Sequence, residues 1–182
     1  MNSSKAKQHF QDSIEHSQIL IKRSSEYKSE NGNICQKTQE IMKRSAIILL
    51  ITAWETYIED VCLEVFNCQY KCLVNSTTGN YLEKQCKNQI NRLHNPDSVK
   101  VAKLFKEFFN VDITEDWVWN SYNKPDEVRK KLNNILEIRG EIAHRADSDK
   151  LPSKPEIEKW IRFVCELVDK TDEIIQSKIL HS

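Results

Sequence analysis

The sequence has few of the residues that break helices or build tight loops. Only 3 of its 182 residues are glycine and 4 are proline, while charged residues make up 30% of the chain. A phosphate-binding loop needs several glycines, and β-sandwiches and barrels need many turns, so this composition argues against these architectures. The composition therefore predicts a helical protein.

An excess of one charge and long hydrophobic runs are also missing. The 27 basic and 27 acidic side chains give a formal net charge of zero, so any contact with nucleic acid needs a local basic patch. No apolar run approaches the roughly 20 residues of a membrane span. Residues 1–11 are polar and lack the apolar core of a signal peptide. We therefore expect a cytoplasmic protein without a membrane partner.

The metal-binding side chains do not follow the spacing of a metal site. The six cysteines include no Cys-x-x-Cys pair, and the five histidines have no second ligand at a metal-binding spacing. We expect reduced thiols, no metal and no other cofactor.

Apolar periodicity and turn residues predict six helices in one all-α bundle. Residues 46–51 are apolar on all sides, which is typical of a central helix. We expect a single domain over residues 1–182, with its core at about 37–180 and an N-terminal helix and turn in 1–36. The predicted helices cover residues 5–29, 37–73, 80–94, 97–109, 125–144 and 155–180.

The fifth predicted helix has a charged residue on its apolar face. Arg139 lies in the centre of a stripe with helical spacing. The apolar members of this stripe are Val128, Leu132, Ile135 and Ile142. Burying a guanidinium group without a partner is costly, so Arg139 needs a carboxylate, a cleft or a subunit interface. Glu55, in the apolar central helix, is the predicted partner.

A histidine follows five positions after Arg139. Because His144 can exchange protons near neutral pH and arginine binds phosphate, the pair suggests chemistry on a phosphodiester. On a straight helix the two side chains point about 140° apart. Either the helix ends or distorts near Gly140, or the side chains converge across an interface. From the residues alone, a helical scaffold remains the alternative, with Arg139 paired to Glu55 or Glu59 and an exposed histidine.

Basic residues on both sides of this motif are candidates for phosphate contacts. The run Arg129-Lys130-Lys131 precedes Arg139 by two to three helical turns, and Arg145 and Lys150 follow it. Such a run is usually a solvated face. It would also provide the local basic rim that a neutral protein needs for RNA.

Three stretches of the chain carry a resemblance to a known family. They are residues 53–59 in the central helix, residues 95–113, and residues 136–145 with the motif Arg139-Gly140-Glu141-Ile142-Ala143-His144. In this order and spacing they resemble the HEPN superfamily, which is defined by Arg-x(4–6)-His at the end of a helix in a small all-α bundle. The closer resemblance is to the RiboL-PSP-HEPN-like branch, over about residues 40–175.

The resemblance implies a metal-independent endoribonuclease of the kind found in toxin–antitoxin, phage-defence and stress systems. It implies RNA as substrate, an antitoxin or regulatory protein as a further partner, and a homodimer in which the motif helices face each other. Together with the basic residues noted above, the resemblance gives the predicted site residues three roles. The predicted catalytic residues are Arg139 and His144. The predicted supporting residues are Glu55, Gly140 and Glu141, and the predicted RNA contacts are Arg129, Lys130 and Arg145.

One residue departs from the family pattern. Many active members have Asn, Asp or His directly after the motif arginine, where this chain has Gly140. The departure leaves a second interpretation open, a catalytically weak or inactive module that binds RNA, a nucleotide or a protein partner.

Overall fold

The computed structural model describes residues 3–26, 35–144 and 151–180, and for His144 only the backbone. These residues form six α-helices, as the sequence predicts. Short 3-10 turns lie at Lys71–Leu73 and Ile113–Asp116, and a π-helical turn at Gln176–Leu180 follows the last helix. The helices are α1 (Lys5–Ser24), α2 (Gln36–Gln69), α3 (Thr77–Ile90), α4 (Ser98–Phe109), α5 (Pro125–His144) and α6 (Lys154–Ile175).

The central helix is α2, against which all five other helices pack. Its apolar residues from Ala46 to Phe66 include twelve that are buried. A helix that is apolar on several sides can be stable only inside a bundle, because each of its faces needs an apolar neighbour. The sequence-based prediction of a central second helix is thus confirmed.

The first helix lies antiparallel to α2 and belongs to the core. Near its end, the Ser17 hydroxyl donates to the carbonyl of Ala46 at 2.8 Å, whereas near its start the backbone N–H of Ala6 donates to the Glu64 carboxylate at 3.1 Å. Phe10 of α1 is 4% exposed and belongs to the same apolar cluster as α2. The predicted start of the core near residue 37 is therefore wrong. The apolar face of α1 has no other surface on which to be buried.

The last helix runs parallel to α2. The Tyr57 hydroxyl in the middle of α2 donates to the Val168 carbonyl at 3.5 Å, and Gln69 at the end of α2 donates to the Ile179 carbonyl. Both pairs are separated by nearly the same number of residues. The two helices therefore begin at the same end of the bundle.

The fifth helix leads back toward that end. Just before α5, the rings of Tyr122 and Phe163 lie 5.3 Å apart, and farther along, the Lys131 ammonium lies 5.8 Å from the Trp160 ring centroid. Trp160 precedes Phe163 in α6, whereas Lys131 follows Tyr122. The last turns of α5, with Arg139, consequently approach the bundle end where α2 and α6 begin.

Several predicted helix boundaries need correction. Helix α2 ends at Gln69 rather than at residue 73, and α3 ends at Ile90 rather than at residue 94. Helix α1 ends at Ser24, and residues 27–29 of the prediction lie outside the described residues. Helix α3 begins at Thr77 rather than at residue 80, because the Ser76 hydroxyl caps it by accepting the N–H of Gly79 at 2.9 Å. A Cβ on Gly79 would lie 2.0 Å from the Leu73 carbonyl oxygen. Glycine is thus required inside the first turn of α3 and does not mark a loop.

Across the described ranges, no helix combines the length and hydropathy needed to cross a membrane. All six cysteines carry free thiols.

Candidate functional site

Arg139 lies on the side of α5 that faces the core. Its neighbours along the stripe are buried, and Arg139 itself is half-buried. The guanidinium Nε is fully buried and has no hydrogen-bond partner among the described residues. The buried stripe residues of α5 are Val128, Leu132, Ile135, Leu136 and Ile142. A buried N–H of a charged group without an acceptor is costly, so packing alone does not explain the arginine at this position.

Gly140 does not interrupt α5. The helix continues from Pro125 to His144, so of the two alternatives for Gly140, a break in the helix is excluded. A Cβ on Gly140 would meet no described atom within 4 Å. Nothing within the described chain therefore requires glycine here, in contrast to Gly79. Within the described residues, the flank of α5 at Gly140 is therefore open.

His144 is the last residue of α5, but its side chain lies outside the described residues, as do Arg145 and Lys150. Because the helix is continuous, the directions of the Arg139 and His144 Cα–Cβ bonds differ by about 140°. The functional pairing of these two residues thus stays a prediction.

Glu55 does not pair with Arg139. Its carboxylate accepts a hydrogen bond from the backbone N–H of Asn95 at 2.8 Å, and no ion pair among the described side chains includes Arg139. The predicted partnership is wrong because the Glu55 carboxylate instead binds the N–H of Asn95, which opens the turn with a left-handed φ of 51°. Glu55 supports the connection between α3 and α4. The alternative pairing of Arg139 with Glu59 is likewise not formed.

Further hydrogen bonds stabilise the connection between α3 and α4. The Trp54 indole donates to the carbonyl of Pro96 at 2.9 Å, and the Asp97 side chain caps α4 by accepting the N–H of Lys100 at 2.8 Å. Lys100 in turn donates to the carbonyl of Asn95 at 3.1 Å. The motif at residues 95–98 therefore forms a rigid turn that joins the central helix to α4.

Asn133 connects this turn to α5 and was missed by the sequence reasoning. The Asn133 amide accepts the backbone N–H of Ser98 at 3.0 Å and donates to the Ser98 hydroxyl at 3.1 Å. It lies on α5 six residues before Arg139. A polar residue beside Leu132 and one turn from Leu136 was the available signal, because it interrupts an otherwise apolar side of the helix.

The acidic side chains of α2 repel each other next to this turn. Burial raises the pKa of Glu59, and the nearby carboxylates of Glu55 and Asp60 raise it further, whereas His94 acts in the opposite direction. The carboxyl group of Glu59 thus holds its proton more tightly than a free glutamate does. Within the residues that the structure describes, no three His, Cys, Asp or Glu side chains are grouped as metal ligands would be.

The predicted RNA contacts of α5 do not share a face with Arg139. Arg129 donates to the Thr114 hydroxyl at 3.1 Å and to Asp126 at 3.2 Å, so its guanidinium group is already engaged. Lys130 is exposed, but nine residues place it about 180° around the helix from Arg139. Glu141 is also exposed, without a hydrogen bond or ion pair among the described residues. The structure therefore does not bring Arg129 and Lys130 together with Arg139.

Comparison with protein families assigns the class to which this helical bundle belongs. The family model described as RiboL-PSP-HEPN matches residues 11–177, nearly the whole chain. The chain belongs to the RiboL-PSP-HEPN family. This membership indicates a nuclease-like or RNA-related module. A search of curated proteins and a search of solved structures found no match.

Proposed function

We propose that this protein is a metal-independent endoribonuclease that cleaves RNA by attack of the ribose 2′-hydroxyl. The observation that carries the proposal is the buried, unpartnered Nε of Arg139 on the core-facing stripe of α5. Replacement of a cation at such a position by an apolar residue would normally be harmless or favourable to stability. An unpaired arginine here is therefore better explained by an anionic ligand than by the packing of the fold.

In the proposed reaction, His144 removes the proton from the 2′-hydroxyl, and the oxygen attacks the adjacent phosphorus. The bond from phosphorus to the 5′-oxygen breaks, and that oxygen leaves as a hydroxyl group after it takes a proton from protonated His144 or from water. Arg139 binds the scissile phosphate and offsets the negative charge that develops on it. The products are a 2′,3′-cyclic phosphate and a 5′-hydroxyl end. No metal ion takes part in these steps.

We further propose that the active form is a homodimer in which two α5 helices face each other. Arg139 and His144 diverge by about 140° on one continuous helix, so a second helix is needed for both residue types to reach one phosphate. The open flank at Gly140 supports this arrangement, since a glycine permits close approach of another helix. Glu141 and Arg145 stay predicted residues of this site, as the family resemblance implies. The biological role would be that of a toxin or defence ribonuclease that a partner protein inhibits.

The direct test is RNA cleavage in the presence of EDTA. Wild-type protein, Arg139→Ala and His144→Ala are incubated with tRNA and total RNA, and the new ends are analysed by mass spectrometry for a cyclic phosphate. The controls are Arg162→Ala and His16→Ala, which remove an exposed arginine from α6 and an exposed histidine from α1. We expect cleavage by the wild type and both controls and a loss of at least 100-fold in the two motif variants, the scale of an acid–base contribution.

The same experiment separates the competing functions. Equal cleavage by the wild type and the motif variants would reject the site. RNA binding that depends on Arg139, without cleavage under any condition, would instead favour the non-catalytic binding module.

A further inference from the structure

Arg44 is a second arginine with a buried guanidinium nitrogen that has no partner in the described part of the chain. It lies on α2 and is half-buried, and its Nη1 is fully buried without a hydrogen bond. Within the described ranges, Arg44 and Arg139 are the two charged residues that have this property. Neither takes part in an ion pair with a described carboxylate.

Arg44 lies on the same side of α2 as Glu55. The two residues are eleven positions apart, which places them within about 20° of each other around the helix and about 16 Å apart along it. Ile51, on the same stripe, is 0% exposed. Arg44 thus belongs to an inward-facing stripe of α2.

The two arginines also lie at the same end of the bundle. Tyr57 of α2 lies level with Val168 of α6, and the two helices run parallel. The same register places Arg44 level with the first turn of α6. The last turns of α5, with Arg139, approach this end as well, because α5 runs back toward the start of α6. The structure therefore places two unpaired, partly buried cations at one end of a neutral protein.

Two guanidinium groups at one end of the bundle favour an anionic ligand at that end. Partial burial weakens the hydration of each cation, so a nearby negative charge would stabilise both. Guanidinium groups bind phosphate through two parallel hydrogen bonds, which suits an ester with two free oxygens. A phosphodiester fits this requirement better than a metal or a neutral ligand.

We infer that Arg44 is a second phosphate-binding residue of the Arg139 site and contacts the RNA backbone beside it. This inference rests on the proposed function, since it names a further residue of the same site. Arg44 binds and positions the strand, and it takes no part in proton transfer.

The test combines RNA binding and folding measurements on full-length variants. Arg44→Met removes the guanidinium group but keeps an unbranched side chain for the half-buried position, and Arg44→Lys keeps only the charge. The matched control is Arg162→Met, which removes an exposed arginine from α6. RNA affinity is measured against salt concentration in the His144→Ala background, so that the RNA stays intact.

We expect Arg44→Met to weaken RNA binding at least tenfold and to reduce the slope of log affinity against log salt by about 1, the effect of one lost phosphate contact. Arg44→Lys should retain most of the slope but lose affinity. The midpoint of thermal unfolding should stay the same or rise in Arg44→Met. A lowered midpoint would assign Arg44 a structural pairing, and an affinity and slope equal to those of Arg162→Met would remove it from the site.

Inorganic phosphate provides a probe that does not depend on nuclease activity. Phosphate should raise the unfolding midpoint of the wild type more than that of Arg44→Met, and an equal rise would contradict the inference. In the cleavage assay, an inactive Arg139→Ala together with a fully active Arg44→Met would overturn this inference and leave the proposed function standing. Full activity of Arg139→Ala would reject the proposed function itself.

Discussion

The carboxylate of Glu55 accepts the backbone N–H of Asn95 at 2.8 Å and therefore serves the turn between α3 and α4. Asn95 adopts a left-handed conformation, with φ of 51°, at the start of this turn. Arg139 consequently remains without a carboxylate partner among the described residues. This hydrogen bond therefore makes Glu55 part of the turn and not part of the site proposed on α5.

We predict that Glu55→Ala destabilises the fold by about 1–3 kcal/mol, because it leaves the N–H of Asn95 without an acceptor. Glu55→Gln keeps an oxygen at the same position and should cost less than half as much. Urea denaturation of the three proteins measures the difference in the free energy of unfolding. An equal loss in both variants would contradict a role as hydrogen-bond acceptor and indicate that the charge itself matters.

The raised pKa of Glu59 predicts a stability that depends on pH. The folded state binds this proton more tightly than the unfolded chain, whose glutamate has a pKa of about 4.5. The resulting stabilisation is present at low pH and is lost as the pH rises through the folded-state pKa. At pH 7 the Glu59 carboxylate therefore destabilises the protein.

Glu59→Gln should accordingly increase the free energy of unfolding at pH 7, by less than about 1 kcal/mol, since Glu59 remains partly exposed. The gain should disappear below about pH 4, where the wild-type group is protonated in both states. Urea denaturation from pH 3.5 to 8 measures this change. The control is Glu15→Gln on the exposed face of α1, and a gain that is constant over the whole range would refute the prediction.

We predict that Gly79→Ala is strongly destabilising. The new Cβ would lie 2.0 Å from the carbonyl oxygen of Leu73, a backbone atom that can move only with its chain. Forcing additional volume into a tight site costs about 1–3 kcal/mol, more than the helix gains from alanine. Thermal unfolding should show a clearly lowered midpoint. An unchanged midpoint would mean that the 3-10 turn before α3 can move away at little cost.

The same substitution at Gly140 should have the opposite effect on the isolated chain. A Cβ there meets nothing within 4 Å, and alanine favours a helix interior over glycine by about 1 kcal/mol. Gly140→Ala should therefore raise the stability of the monomer. If two α5 helices approach each other at this glycine, the variant should also raise the dimer dissociation constant and lower RNA cleavage.

Sedimentation and denaturation measured on Gly140→Ala distinguish these effects. A more stable monomer with weaker dimerisation supports the proposed interface. A more stable protein with unchanged self-association and activity would show that α5 does not meet its partner at Gly140.

Much of the fold could be predicted because its signals are local. The apolar spacing of α5 and the run of apolar residues in α2 depend on helical periodicity alone, so both helices and the central position of α2 were predicted correctly. The predicted start of α3 was less accurate. Gly79 was left outside the predicted helix, but it lies in the first turn of α3, in close contact with Leu73. The core also includes α1, which the prediction left outside it. The sequence does not show which helix will pack on each face of α2.

By itself, the sequence determined the helical class, the apolar stripe that contains Arg139, and the resemblance to the family to which the chain belongs. Only the tertiary structure decided that Glu55 binds Asn95, that Arg129 is engaged by Thr114, and that Arg44 lies toward the end of the bundle approached by Arg139. The physical reason is that periodicity acts between residues three or four positions apart, whereas the partner of a polar group depends on which helices pack together. Those contacts join residues that are tens of positions apart, and no local pattern encodes them.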